Sequence, residues 1–302
     1  MTAKFSTIMD NSDIILALHL QPGIGPRTIQ RLLFHWPCLQ ELLNEVNQNK
    51  LKIPLPVALV KAINHLNWEG VEATRRWSEI KDHHLLTFAD ELYPPLLRQI
   101  ADPPPVLYLK GQVSVLQSSL LSIVGTRNPT DYGKKIAYDW SFSLSSSGLT
   151  LVSGLAIGVD TLVHQACVQQ NRPTIAVLGN GLNGIYPSRN RALGLKMMET
   201  GLLLSEFPLN FLPKAGHFPQ RNRIISGLAL STLVIESTEK SGTLITARHA
   251  VEQNRDVLVV PGPVHSLQSM GCHRLIQQGA RLVMSHQEVL QCVQSYQNEV
   301  FV

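Results

Sequence analysis

Short apolar runs that recur from about residue 112 onward constrain the fold more than any other feature. The runs are Leu120–Val124, Leu149–Val152, Thr174–Leu178, Leu202–Ser205, Leu233–Glu236, Val257–Val260 and Arg281–Val283. Most are separated by segments in which apolar side chains have helical spacing. Because buried strands that alternate with helices form a parallel sheet covered on both faces, the pattern predicts an α/β fold with a doubly wound, mostly parallel sheet over residues 112–297.

Small residues follow these predicted strands, and basic side chains stand close to them. The turns are Gly125-Thr126-Arg127, Ser153-Gly154-Leu155-Ala156, Gly179-Asn180-Gly181 with Arg189 and Arg191 beyond it, and Ser241-Gly242-Thr243. Ligands of this fold class bind at the carboxyl ends of the strands, where exposed N–H groups attract anions. Since the same feature follows strand after strand, we expect an extended ligand with more than one phosphate.

The segment from His217 to Ala250 concentrates these features. An aromatic and basic cluster of Phe218, Arg221 and Arg223 surrounds Asn222, and Lys214 precedes it. A strand-like run, the Ser241 turn and a helical segment with Arg248 follow, which is the order of an anion-binding helix start. Arg127, Arg191, Lys214 and Arg221 are therefore candidate phosphate ligands. Phe218 is either a stacking surface for a nucleobase or a core side chain.

The first part of the chain has a different character. Residues 1–84 have helical spacing, and Gly23 and Gly25 separate two predicted helices, as in a helix-hairpin-helix that either contacts DNA or only turns the chain. A proline-rich stretch, 85–111, predicts an extended connector that ends in a strand at Val106–Leu109. We expect a short tail at 298–302.

Enzymatic sites are not favoured by the residue patterns. Gly179, Gly181 and Gly184 match a dinucleotide fingerprint with Glu206 as its ribose ligand, but Pro187 leaves no room for a helix to begin there. Asp160 and His164 are four residues apart, and the pair is better explained by a helix cap and a packed histidine than by acid-base catalysis. Cys272 and His273 are adjacent and point apart on a helix. We expect no catalytic residue, metal or cofactor.

The overall composition sets broad limits on the class of protein. A net charge of +4 permits a polyanionic partner, and four scattered cysteines without a paired spacing favour a reducing compartment. The first residues are too polar for a signal peptide, and no apolar run is long enough to span a bilayer. These features predict a cytoplasmic protein without a membrane partner.

From Tyr93 to Leu290 the chain closely resembles the DNA-processing protein A family (DprA, also called Smf). The matching motifs, in order, are Ile123–Arg127, Val152–Ala156, Ala176–Gly179 with Tyr186-Pro187, His217–Pro219 with Arg221–Ile225, Ser241–Thr246 and Val260–Gly262. The resemblance implies an extended Rossmann-like domain behind a small all-helical, SAM-like domain. It also implies a non-enzymatic, homodimeric protein that binds single-stranded DNA, protects incoming DNA and helps to load the recombinase RecA during natural transformation.

The resemblance also assigns residues. Arg127, Ser153, Gly154 and Ala156 would hold backbone phosphates, and Lys214, His217 and Phe218 would contact bases and backbone. Arg189 or Arg191 would supply the basic residue after Tyr186-Pro187. Many members carry a C-terminal winged helix, which we expect this chain to lack. Two other classes remain open: a Rossmann-like nucleotide-binding enzyme or sensor acting on a small phosphorylated ligand, and an interaction scaffold for recombination proteins.

Overall fold

The computed structural model describes residues 10–300, and the side chains as far as residue 297. The polar segment at the start of the chain and the last two residues of the predicted tail lie outside the described residues. The chain forms two compact units. One runs up to Tyr93 and includes Asp102–Leu107, and the other comprises Pro94–Ala101 and the described chain from Tyr108 onward.

The first unit is built mainly of helices, as expected. They are α1 (Asn11–Leu20), α2 (Pro26–His35), α3 (Leu39–Asn47), α4 (Val57–Asn64) and α5 (Trp68–Ser78). Apolar side chains at helical spacing, such as Ile14, Leu18, Leu32 and Leu42, are buried and form its core. The strand β1 (His83–Thr87) follows these helices. The sequence did not predict it, because its residues lack regular alternation of apolar and polar side chains.

The stretch predicted as an extended connector contains one helical turn, α6 (Pro95–Arg98). Proline is well accommodated at the first position of a helix, which explains how a proline-rich stretch begins one. β2 (Val106–Gly111) follows, as predicted. The predicted boundary near residue 85 falls inside β1, and the division into residues 1–84, 85–111 and 112–297 stays a proposal.

Strands and helices alternate through the second unit, and each predicted strand is present. The strands are β3 (Leu120–Gly125), β4 (Thr150–Ser153), β5 (Thr174–Val177), β6 (Leu202–Ser205), β7 (Ser231–Ile235), β8 (Asp256–Val259) and β9 (Arg281–Leu282). The helices are α7 (Asp131–Ser146), α8 (Val159–Gln169), α9 (Arg191–Met197), α10 (His217–Leu228), α11 (Gly242–Glu252), α12 (Met270–Gln277) and α13 (His286–Val300).

The strand order is β1-β2-β6-β5-β4-β3-β7-β8-β9, and every pair from β6 to β9 is parallel. β2 runs antiparallel to β6, with Tyr108 opposite Ser205. The chain moves outward from β3 to β6 and then returns to β7 on the other side of β3. This reversal confirms the doubly wound, mostly parallel α/β fold and opens a crevice at the carboxyl ends of β3 and β7.

The sheet is held by a continuous apolar core. Leu121 and Ile123 of β3 share a buried cluster with Trp140 of α7, Val163 of α8 and Val293 of α13. Helices α10 and α11 pack against each other and against β3. Because the strands are buried almost throughout, the loops at their ends carry the groups that can reach a ligand. No helix among residues 10–300 has the length and apolarity needed to cross a membrane.

Candidate functional site

A cleft of about 730 Å³ opens at the carboxyl ends of β3 and β7, where the fold predicts a ligand. It brings together most of the residues that the sequence singled out. Those that line it are Gly125, Thr126, Arg127, Ala156, Lys214, Phe218, Arg221, Asn222, Ser241, Gly242 and Thr243. Ser153, Gly154, Leu155, Arg189, Arg191, His217 and Arg223 are not among its lining residues.

The loop after β3 carries an exposed cation of the cleft wall. Arg127 is exposed, and its guanidinium makes no hydrogen bond within the described part of the chain. Asn128 beside it lines the same wall. Thr126 is different, because it is buried and its N–H donates to the Glu236 carbonyl at 2.9 Å. The loop can therefore present the Arg127 side chain to an anion, but not the Thr126 N–H group.

The turn after β4 does not offer the anion site that the sequence predicted. The Asp160 carboxylate accepts the N–H groups of Gly154 at 3.1 Å and Ala156 at 3.2 Å. The Ser153 hydroxyl is buried and donates to the Ile123 carbonyl at 2.7 Å. These donors already have acceptors, so the assignment of Ser153, Gly154 and Ala156 as phosphate ligands does not fit the structure. The sequence had indicated that Asp160 caps a helix. In the structure its carboxylate holds this turn instead.

Arg221 closes the floor of the cleft from inside. Its guanidinium is 5% exposed and donates to the carbonyls of Gly154, at 2.7 Å, and Val177. A Cβ added to Gly154 would lie 2.5 Å from that guanidinium, so a larger residue there would displace Arg221 from this position. Burial lowers the pKa of Arg221 to about 10, and the negative charge of nearby Asp160 works against this lowering. The Arg221 side chain is therefore still charged at neutral pH. Burial raises the pKa of Asp160, against the opposing effect of Arg221.

Arg223, predicted to contact DNA, has a different partner. Both of its terminal nitrogens bind the Glu206 carboxylate at 2.7 Å, and both side chains are 4% exposed. A buried, paired guanidinium cannot reach a ligand. The reason lies in α10, which places Arg223 over the end of β6 instead of in the cleft. Asn222, between the two arginines, is half-buried and faces the Gly242 carbonyl at 3.4 Å.

Aromatic side chains form one side of the cleft. Phe218, in the first turn of α10, is half-buried, and its ring centroid lies 5.6 Å from that of the exposed Tyr186. The two rings border a small side pocket of about 90 Å³ that also contacts Ile157, Gly179 and Arg127. This exposure favours a contact surface over a core role for Phe218. The sequence patterns did not single out Tyr186 as a contact, although it follows a glycine turn and precedes a proline.

The loop before α10 contains a second aromatic group. His217 stacks on Phe207, with the ring centroids 4.6 Å apart, and packs at a tilt against Phe211, with the centroids 4.9 Å apart. Lys214 is exposed at the cleft, and its Nζ lies 5.8 Å from the centroid of the Phe211 ring. His217 therefore supports the loop that carries Lys214, whereas Lys214 itself faces the cleft.

The remaining wall is the start of α11. Ser241 precedes the helix, and its hydroxyl accepts the Thr243 N–H at 3.1 Å. The helix begins at Gly242, so its partial positive charge points into the cleft. This agrees with the helix start that the sequence predicted at Ser241–Thr243.

Arg189 and Arg191 are exposed beside Asn190, outside the cleft lining. Asn190 is 4% exposed, and its Nδ2 donates to the Leu155 carbonyl at 2.9 Å and to the Thr161 hydroxyl at 2.8 Å. It ties the Tyr186–Arg191 segment to the turn after β4. No pattern distinguished this asparagine in a polar stretch, so sequence reasoning missed it.

The geometry also bears on the enzymatic alternatives. No helix begins at Gly179–Gly184, and the next α-helix along the chain, α9, begins only at Arg191. Glu206, the candidate ribose ligand, is bound to Arg223. His164 donates to Thr174 rather than pairing with Asp160, and His273 bonds the Gly262 carbonyl. Among the described residues, no group of histidine, cysteine and acidic side chains is placed to hold a metal.

Fold and site together define a class: a doubly wound α/β protein with a cationic, aromatic-walled cleft at its strand ends. The chain belongs to the DNA recombination-mediator protein A family, whose model matches residues 84–294. It is 44% identical to the Smf protein of Escherichia coli over 75% of this chain, and spans 61% of that relative's length. It is 41% identical to DNA processing protein DprA of Bacillus subtilis over 68% of this chain and 70% of the relative.

Two solved structures support the assignment. DNA processing protein A from Streptococcus pneumoniae superposes with a TM-score of 0.81 and 33% identity, covering 94% of this chain and 98% of that one. DNA processing protein A from Helicobacter pylori, whose structure describes a single-stranded DNA binding mode, superposes with a TM-score of 0.63 and 28% identity. The second match covers 71% of this chain and 96% of the other.

Proposed function

We propose that this protein binds single-stranded DNA in the cleft at the carboxyl ends of β3 and β7. The observation that carries the proposal is the convergence of Arg127, Lys214 and the start of α11 with the Tyr186 and Phe218 rings. Cations and a helix N-terminus attract phosphates, and aromatic faces stack on bases. The single-stranded DNA binding described for the similar Helicobacter pylori protein supports the same function for this chain.

The cleft accounts for a preference for single strands. Arg127 and Lys214 each take a backbone phosphate, and the partial positive charge at the start of α11 attracts another. A base then reaches the Tyr186 and Phe218 rings, which requires that it be unstacked. Duplex bases are paired inside the helix, so a duplex offers phosphates without accessible base faces. Binding by stacking and charge depends little on sequence.

The finer functions rest on family resemblance. We propose that bound DNA is protected, that the protein helps to load RecA on it, and that the working form is a homodimer with two clefts. Sedimentation velocity at micromolar protein should give a dimer, and a monomer alone would remove that part of the proposal. We also propose that the protein is not an enzyme, since the candidate catalytic pairs are buried or bonded to other groups.

Fluorescence anisotropy with labelled oligo-dT and a duplex of equal length tests the proposal. The single strand should bind more tightly, and the log of its affinity should fall with log salt by about 0.7 for each phosphate contacted. Arg127→Ala should weaken binding by about 1.5–3 kcal/mol, the scale of a charged hydrogen-bond set, and lower that slope. Arg172→Ala is the matched control, because Arg172 is exposed just before the amino end of β5, at the opposite edge of the sheet.

Equal affinity for single-stranded and duplex DNA would contradict the proposal. An unchanged oligo-dT affinity in Arg127→Ala would show that Arg127 does not contact the DNA. Mononucleotides and NAD should leave the melting temperature unchanged, whereas a short single strand should raise it. The opposite result would favour the nucleotide-binding enzyme or sensor.

A further inference from the structure

Glu236 is a buried acidic residue directly after β7, behind the residues that line a cleft proposed to bind an anion. It is 4% exposed and has a left-handed backbone conformation, with φ of 52°. Its carboxylate accepts two hydrogen bonds from Thr130: Oε2 from the N–H at 2.8 Å, and Oε1 from the hydroxyl. Its own carbonyl accepts the Thr126 N–H at 2.9 Å.

These bonds attach both ends of one short loop to a single residue. The loop runs from Thr126 to Thr130, and its exposed middle residues, Arg127 and Asn128, line the cleft. The Thr126 hydroxyl accepts the Asn128 N–H at 3.2 Å, which orders the loop further. The placement of Arg127 relative to the start of α11 thus depends on Glu236.

The first turn of α7 is shaped to accept this carboxylate. Thr130 already caps the helix, since its hydroxyl accepts the Gly133 N–H at 3.2 Å. A Cβ added to Gly133 would lie 2.2 Å from Glu236 Oε2, so the turn has a glycine where the carboxylate enters. The carboxylate faces the positive end of α7 and is shielded from the cleft. A cap alone needs only Thr130, so the additional bonds serve to join the start of α7 to the end of β7.

We propose that Glu236 is a positioning residue, which holds the Thr126–Thr130 loop so that Arg127 meets a DNA phosphate. The inference rests on the proposed single-stranded DNA binding. An arginine on a loose loop must be ordered during binding, and the cost of that ordering lowers affinity. A loop held in advance avoids that cost, so the effect of Glu236 on binding passes through Arg127.

A double-mutant cycle measures that dependence. With labelled oligo-dT as the probe, Glu236→Ala should weaken binding about tenfold in the wild-type protein and less than about twofold in the Arg127→Ala protein, because coupled residues are not additive. Glu236→Gln keeps an amide oxygen for the Thr130 N–H and an amide N–H for the hydroxyl, and should restore most of the affinity. Hydrogen exchange should show faster exchange at Thr126 and Thr130 in Glu236→Ala.

Asp90→Ala is the matched control. Asp90 accepts the N–H and the hydroxyl of Thr87, at 2.6 Å and 2.8 Å, so this change removes the same kind of paired bonds from a loop of the first unit, together with a longer bond from the Ser12 hydroxyl at 3.5 Å. It should lower stability and leave oligo-dT affinity within about twofold. If Glu236→Ala does not fold, Thr130→Val keeps the N–H bond to the carboxylate and removes the two bonds of the hydroxyl, to Glu236 and to the Gly133 N–H. It should give a smaller loss of oligo-dT affinity with the same dependence on Arg127.

Equal losses from Glu236→Ala with and without the Arg127 side chain would overturn the positioning role and leave the proposed function intact. An unchanged rate of hydrogen exchange at Thr126 and Thr130 in Glu236→Ala would also overturn the positioning role. Failure of the wild-type protein to bind oligo-dT would overturn both proposals.

Discussion

Three arginines predicted as contacts have different surroundings in the structure. Arg127 is exposed at the cleft, Arg221 is buried beneath it, and Arg223 is buried in an ion pair with Glu206. Arg221 and Arg223 are two residues apart on α10, so they point to different sides of the helix. Burial separates Arg127, which remains a candidate phosphate ligand, from Arg221 and Arg223, which are structural charges.

The ion pair of Glu206 and Arg223 gives a prediction about stability. Arg223→Met should lower the free energy of unfolding by about 3–5 kcal/mol, because it leaves the Glu206 carboxylate buried without its partner. Adding Glu206→Met should recover most of the loss. Urea denaturation measures both, and the folded fraction should bind oligo-dT normally. A stable Arg223→Met protein that no longer binds DNA would return Arg223 to the proposed contacts.

Among the elements, the loops at the strand ends are held by buried polar side chains from other parts of the chain. Asp160 holds the turn after β4, Asn190 ties the segment before α9 to that turn, and Glu236 holds the loop after β3. Loops in this position would otherwise be mobile. Their fixed shape is what allows several of them to form one cleft wall.

Asn190→Ala should loosen one of these loops. The change leaves the Leu155 carbonyl without this donor, so the free energy of unfolding should fall by about 1–3 kcal/mol. DNA affinity should fall as well, because Tyr186 lies on the same segment. Asn183→Ala is the control on the same connection, since Asn183 is exposed and its side-chain amide donates to Asn210. Thermal unfolding and oligo-dT anisotropy should separate the two variants, and equal effects would count against the role of Asn190.

For the molecule as a whole, folding brings distant segments of the second unit to one edge of the sheet and buries titratable groups beneath it. His164, on α8, has no exposed surface. Thr174 donates its hydroxyl proton to the Leu151 carbonyl at 2.8 Å, so His164 Nδ1 must carry the proton that bonds Thr174 at 2.9 Å. Its Nε2 has no partner among residues 10–297.

Burial lowers the pKa of His164 to about 3 from an ordinary value of 6.5, and nearby Arg221 adds to the effect. Between these values the unfolded chain binds a proton that the native protein does not. The free energy of unfolding should therefore be highest above pH 6.5 and fall by about 1.4 kcal/mol for each pH unit below it. Urea denaturation at pH 7 and pH 5.5 should show this loss, and His164→Gln should reduce it. An equal pH dependence in both proteins would show that another group is responsible.

Most of the second unit could be predicted because its signals are local. Buried strands such as Leu202–Ser205 are recognisable as apolar runs, and the turn at Ser241 as a helix start. β1 lacks such a pattern, and the α6 turn lies among prolines. The roles of Asn190 and Glu236 could not be predicted, since each depends on a partner far away in the chain.

The sequence by itself determined the α/β sheet and the residues that gather at its carboxyl edge. Apolar periodicity acts over a few residues, and parallel strands must end on a common side. Only the tertiary structure decided which of those groups can still receive a ligand. A buried N–H or guanidinium takes its partner from across the fold, as Thr126 does from Glu236, Gly154 from Asp160 and Arg223 from Glu206. Arg127 and Lys214 stay exposed at the cleft and can still receive a ligand.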